Sequence, residues 1–188
     1  MKNKEDTYRE AEKAFRKVER DPSFSDPNGK IIRANKRFIM MDLSYLPLDI
    51  LRGMDEIFGP VSKTILFRIG KRWGETIFER YRNIGFDKMD SLRLSAAGAW
   101  YFGWGLVSFD LEKECSKARI YNCFEAESTL SNMDVNHDDS CRLFPGVMVG
   151  IYEKFIENSC SSVKENKCIL RGDSYCELVL TPGVDKID

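Results

Sequence analysis

Apolar and polar positions follow two rhythms along this chain. Over residues 61–85, "VSKTILFRIGKRWGETIFERYRNIG", Ile65, Ile69, Trp73, Ile77 and Tyr81 recur every four residues with charges opposite. That period predicts a helix with one buried stripe, and Gly85 predicts its stop. A shorter stripe of Tyr8, Ala11, Phe15 and Val18 predicts an amphipathic helix over 4–20. Helices are also predicted over 46–59, closed by Gly59 and Pro60, over 88–103, and over 142–158 with Pro145 in the first turn. The other rhythm is alternation. It predicts strands over 36–42, 105–113 and 117–127, and a last pair in "SSVKENKC" and "SYCELVLTP" with Gly172-Asp173 as turn chemistry between them. "LSNMDVNHDDSC" predicts a polar loop.

Strands joined by short turns pair antiparallel, so the order of elements predicts an α+β domain with helices packed on an antiparallel sheet. The Pro-, Gly-, Ser- and Asp-rich stretch 21–30 is a break. It divides a helical arm and linker, residues 1–36, from a domain over 37–183. Gly70 and Gly74 fall on one face of the 61–85 helix, where they either admit a close backbone approach or are simply tolerated.

Charge narrows the partners. Lys+Arg is 29 and Asp+Glu is 30, so no global basic field predicts nucleic-acid or membrane-surface binding. Residues 1–36 are too short for a helix-turn-helix domain. The longest uncharged stretch, Leu94 to Phe109, is 16 residues, below the roughly 20 that span a bilayer. The first residues carry no apolar run of a signal peptide, so the expected location is the cytoplasm.

The chemistry is narrowed in turn. There is no Gly-Lys-Ser/Thr phosphate loop and no Gly-x-Ser-x-Gly elbow, and "GWGLVS" lacks the third glycine of a dinucleotide fingerprint. A single histidine, His137, stands in the polar loop. The six cysteines all lie between 115 and 176. In a reducing cytosol such clusters serve metal or catalysis more often than disulfides. Four donors in a tetrahedron make a structural zinc site. Cys141, Cys168 and Cys176 are candidates, with Glu125 or His137 as the fourth donor.

The residues then carry a resemblance. "ENKCILRGDSYCELVL" (165–180), "NCFEA" (122–126) and "SCRLFPGVMVGIYEKF" (140–155) with Gly146 and Gly150 resemble the signature of the 4-vinyl reductase domain family. "GWG" (103–105) and "GKRWG" (70–74) resemble it more loosely. The resemblance covers about residues 37–181. It implies an α+β sandwich shared with vesicle-tethering TRAPP subunits, often dimeric. Related domains are the sensory part of bacterial activators for phenols and other aromatic hydrocarbons, with a zinc ion held by one Glu and three Cys. Carried over, the implied ligands are Glu125, Cys141, Cys168 and Cys176. Cys123 stands where the pattern has Ser and is a rival ligand. Arg142 replaces an aromatic residue. Glu165 is read as a strand residue or a support to a ligand.

Aromatic side chains concentrate in the middle of the chain. Trp73, Trp100, Tyr101 and Trp104 are read either as plain core or as the lining of an apolar ligand pocket. The expectation is a sensor or accessory domain that binds a small hydrophobic molecule and a structural zinc ion. A homodimer is expected from the resemblance and from the apolar stripe of the first helix, which is short for independent stability. The alternatives are a reductase acting on a vinyl-bearing tetrapyrrole, for which no nicotinamide or flavin motif speaks, and a protein-interaction scaffold.

Overall fold

The stripe over 61–85 becomes helix α3 (Val61–Asn83), but its buried ridge lies beside the expected one. Leu66, Gly70, Gly74, Phe78 and Tyr81 are buried, whereas Ile69 and Trp73 are 50% and 39% exposed. The cause is the partner helix, α6 (Leu143–Ile156), which lies directly against the two glycines. A Cβ at Gly70 would overlap the carbonyl oxygen of Leu143, and one at Gly74 that of Val147. Reciprocally, a Cβ at Gly146 or Gly150 would overlap the carbonyl oxygens of Phe67 or Lys71. Four glycines thus let two backbones touch, and Gly70 and Gly74 are the approach surface itself.

The computed structural model describes residues 3–15, 31–33, 36–38, 46–132 and 141–183. Predicted features at 16–30, 39–42 and 133–140, including His137, lie outside them. The remaining helices are α1 (Lys4–Phe15), α2 (Leu46–Phe58), α4 (Lys88–Tyr101) and α5 (Phe124–Asn132). The short strands β1 (Ile31–Arg33) and β2 (Lys36–Phe38) pair antiparallel. Strands β3 (Leu106–Asp110), β4 (Ser116–Tyr121), β5 (Cys160–Lys167) and β6 (Cys176–Pro182) form an antiparallel sheet in the order β3-β4-β6-β5. The protein is therefore the α+β domain that its pattern predicts.

Alternation divides the sheet into two faces. Val107, Ala118, Ile120, Cys176, Leu178 and Leu180 belong to the main core with Phe78, Phe144, Val147 and Ile151. On the other face Ala11 of α1 and Ala97 of α4 cover Leu106, and the Tyr8 ring meets Trp100 edge-on at 5.4 Å. The stripe of the first helix is thus partly spent within the chain. Beside it Arg119, 4% exposed, is held by Glu177 at 2.8 Å and Asp110 at 2.6 Å.

One predicted strand is too long. The run 117–127 leaves the sheet at Tyr121 and becomes helical at Phe124. Asn122 adopts φ 51°, a left-handed conformation that Asn tolerates better than most residues. The carbonyl of Cys123 then accepts the N–H of Glu127 and opens α5.

Candidate metal centre

Three cysteines reach one point from three elements. Cys141 stands two residues before α6, Cys168 follows β5 and Cys176 opens β6. The sulfur of Cys168 lies 3.9 Å from that of Cys141 and 3.8 Å from that of Cys176. A tetrahedron built on metal–sulfur bonds of about 2.3 Å has sulfur–sulfur edges of about 3.8 Å. The thiols are therefore spaced as ligands of one ion would be.

The turn between Cys168 and Cys176 is locked by its own backbone. The Cys168 carbonyl accepts the N–H groups of Arg171 and Asp173, and the Asp173 carboxylate accepts the N–H of Cys168 at 2.9 Å. Gly172, at φ 87°, supplies the left-handed residue this needs. The Ile169 N–H points at the Cys176 sulfur, 3.4 Å away.

A carboxylate completes the group. Ligand atoms of Cys141, Glu165, Cys168 and Cys176 all lie within 4.8 Å of one another. Glu165 pairs with Leu178, so its side chain shares the core face, and a β-bulge follows it before Lys167. Its Oε2 accepts from Arg171 at 2.9 Å, while its Oε1 is buried with no hydrogen-bond partner. Burial, with Cys168 close by, pushes this carboxyl up to about 8 against the pull of Arg171.

The structure does not bring Glu125 into that group. Glu125 lies in the first turn of α5, 2% exposed, rather than on a solvated strand. Its oxygens accept the backbone N–H groups of Arg142 at 2.6 Å, Leu143 at 3.0 and 3.1 Å, and Phe144 at 2.9 Å. It caps the start of α6 from another helix, and its lone pairs are spent there. Burial pushes its carboxyl up while those amides pull it down. The acidic residue that does stand with the three thiols, Glu165, had a signal in the sequence: it lies three residues before Cys168 in the final strand pair.

A fourth thiol adjoins the cluster. Cys123 is fully buried, and its sulfur lies 3.8 Å from that of Cys141. Contacts with the Cys141 and Cys176 thiols hold it down at about 6, while contacts with the Cys123, Cys168 and Cys176 thiols push Cys141 well above its ordinary value. Cys115 and Cys160 are partly exposed and stand outside the cluster.

The four aromatics expected to line one pocket fall into two groups. Trp73 meets Trp104 at 4.6 Å between ring centroids, and Trp104 packs on Phe124 and Phe144 in the main core. Trp100 and Tyr101 instead pack with Tyr8 and Phe102 at the end of α4. A cavity of about 830 Å³ lies elsewhere, between α1, α4 and β3. Ala11, Met89 and Val107 line it together with charged residues such as Asp90, Arg93 and Asp110, and with Ser108, whose buried hydroxyl has no partner.

No protein-family model matches the sequence, and no curated protein does. Solved structures do. The phenol-responsive sensory domain of the transcription activator PoxR, with phenol, is similar to this chain at a TM-score of 0.75 and 15% identity, over 91% of this chain and 89% of that one. The chain shares its fold. A vinyl-4-reductase family protein from Methanocaldococcus jannaschii has the same fold at a TM-score of 0.55 and 16% identity, over 78% of this chain and 85% of its own. A trafficking protein particle complex subunit 3 from Naegleria fowleri, covalently bound to palmitic acid, follows at 0.51 and 13%, over 76% and 93%. These are the folds that the cysteine and glycine motifs resemble. No helix among the described residues is long and apolar enough to cross a membrane.

Proposed function

We propose that this protein is a small-molecule-binding sensor or accessory domain over 37–183, with its arm docked on it and a structural zinc ion at Cys141, Glu165, Cys168 and Cys176. One observation carries the metal: the Oε1 atom of Glu165 is buried without a hydrogen-bond partner in a group with three thiols. A buried polar atom of that kind is costly unless something pairs with it. Mixed thiolate and carboxylate donors suit zinc, and four protein donors leave no open position, which favours a structural over a catalytic ion. Bound there, zinc would tie the β5–β6 turn to the start of α6 and supply on the order of 10 kcal/mol of folding linkage.

The sensory half of the reading rests on the fold and on the 830 Å³ cavity. Its lining is mixed: apolar side chains such as Ala11, Met89 and Val107 stand beside charged ones such as Asp90, Arg93 and Asp110, and the Ser108 hydroxyl has no partner, a mixture that would suit a small molecule with both an apolar body and polar groups. A homodimer belongs to the same proposal. Ile57, Phe58, Val61 and Ile69 on α2 and α3 are exposed and would supply apolar contact. A reducing compartment such as the cytoplasm belongs to the same proposal, since it would keep the thiols available as ligands.

Native mass spectrometry with elemental analysis, on full-length protein purified without chelator, tests all three. One zinc per chain, lost in Cys168→Ser and Cys176→Ser and retained in Cys115→Ser and Cys160→Ser, is the expected result. Zinc-free wild-type protein that is fully folded overturns the centre. A mass with no small-molecule adduct, and no thermal shift with phenols or fatty acids, overturns the sensor. A monomer at all working concentrations overturns the dimer.

A further inference from the structure

Beside the four donors that lie within 4.8 Å of one another stands a further thiol, Cys123, 3.8 Å from the Cys141 sulfur. The sulfurs of Cys123, Cys141, Cys168 and Cys176 follow one another at 3.8, 3.9 and 3.8 Å, each distance close to the edge length of a metal–sulfur tetrahedron, with Cys123 at the outer end beside Cys141. Cys123 is held in place from both sides. The left-handed turn at Asn122 precedes it, with Gly105 in close approach to the carbonyls of Tyr121 and Asn122. After it α5 begins, with Glu125 capping the very helix that Cys141 precedes. The Cys123–Cys141 pair is therefore a built feature of the α5–α6 junction.

We propose that Cys123 is an alternative fourth ligand, exchanging with Glu165 so that the centre passes from three thiolates and one carboxylate to four thiolates. This rests on the metal centre proposed above. In the exchange the Cys123 thiol gives up its proton and binds the ion. Glu165 leaves, keeps its hydrogen bond to Arg171, and its freed Oε1 takes the proton. Softer ions favour the all-sulfur setting, since thiolates are soft ligands. Zinc then takes Glu165, and cadmium takes Cys123.

X-ray absorption on full-length protein loaded with either ion counts the sulfurs. Wild-type protein should show three sulfurs and one oxygen around zinc, and four sulfurs around cadmium. Glu165→Gln should keep zinc with four sulfurs. Cys123→Ser should keep zinc unchanged, show three sulfurs around cadmium, and lose at least tenfold in preference for cadmium over zinc. Three sulfurs around cadmium in wild-type protein, with loss of zinc in Glu165→Gln, overturns the exchange while leaving the centre standing. Failure of the wild-type protein to bind either ion overturns both. The wild-type and Glu165→Gln arms keep Cys123 intact, so the outcome does not depend on how Cys123→Ser folds.

Discussion

Glu125 grips Leu143 with both oxygens: the single backbone N–H of Leu143 is shared between Oε1 at 3.0 Å and Oε2 at 3.1 Å. Arg142 and Phe144 donate to the same carboxylate. A helix start has backbone donors with no partner inside the helix, and here a carboxylate from α5 takes three of them. Glu125→Gln replaces one acceptor oxygen by an amide donor facing other donors. The expected cost is about 1–3 kcal/mol in urea unfolding, the range for a buried group left unsatisfied. Elemental analysis should find metal content unchanged. A folded Glu125→Gln protein without zinc would make Glu125 the ligand after all.

The space beside each glycine predicts opposite outcomes for two Gly→Ala changes. Gly74→Ala gains helix propensity of about 1 kcal/mol but drives its Cβ into the Val147 carbonyl. Overpacking against backbone costs about 3 kcal/mol or more, so a net loss of about 2 kcal/mol is expected. Gly53 lies within α2 with nothing near its missing Cβ, and Gly53→Ala should instead stabilise by about 0.5–1 kcal/mol. Thermal unfolding of the two variants beside wild type checks both signs.

These two cases show what was legible in the sequence. Element types follow from periodicity because burial repeats with the backbone, and all of α2, α3, α4 and α6 lie where the pattern places them. The orientation of α3 did not follow. Its closest contact is made by glycines, which carry no hydrophobic signal, so the ridge Leu66, Gly70, Gly74 and Phe78 was invisible to a count of apolar side chains. The strand over 117–127 overshot because one left-handed residue, Asn122, ends it without a Gly or Pro. The three cysteines were readable from type and spacing. The carboxylate was not, since Glu125 serves amides 17–19 residues away and only the fold shows that its lone pairs are used. Nor does aromatic density say which cluster a ring joins. Trp100 and Trp104 are four residues apart, yet the chain turns at Gly103, φ 76°, and sends them to different cores.

Arg119 and its two carboxylates yield a third expectation. The guanidinium is nearly fully buried between Glu177 and Asp110, so it depends on both for its hydrogen bonds. Removing one partner of a buried pair leaves an uncompensated charge and costs about 3–5 kcal/mol. Glu177→Ala should sit near the lower end, because Asp110 remains. An exposed pair such as Arg9–Glu5 gives a control, with Glu5→Ala expected to cost under about 1 kcal/mol. Denaturant unfolding of the two variants separates the cases.

The last prediction concerns pH in protein stripped of metal. Burial, with the nearby Cys168, raises the Glu165 carboxyl from its ordinary 4.5 to about 8 in the folded chain. The folded state therefore binds this proton more tightly than the unfolded state does. Stability from Glu165 is fully present below about 4.5 and is lost as pH rises through about 8. Cys123 acts with the opposite sign, since its thiol is lowered to about 6 from 9.0 and adds stability as pH rises across that window. The two overlap above pH 6, so wild type must be read against Glu165→Gln, which keeps Cys123 and removes only the carboxyl. The unfolding free energy of metal-free wild type minus that of Glu165→Gln should fall steadily between pH 4.5 and pH 8. A difference that is flat or rising over that range would show Glu165 ionised and satisfied without metal. Adding zinc should reverse the trend in wild type, because the ligands bind the ion deprotonated and its hold strengthens with pH.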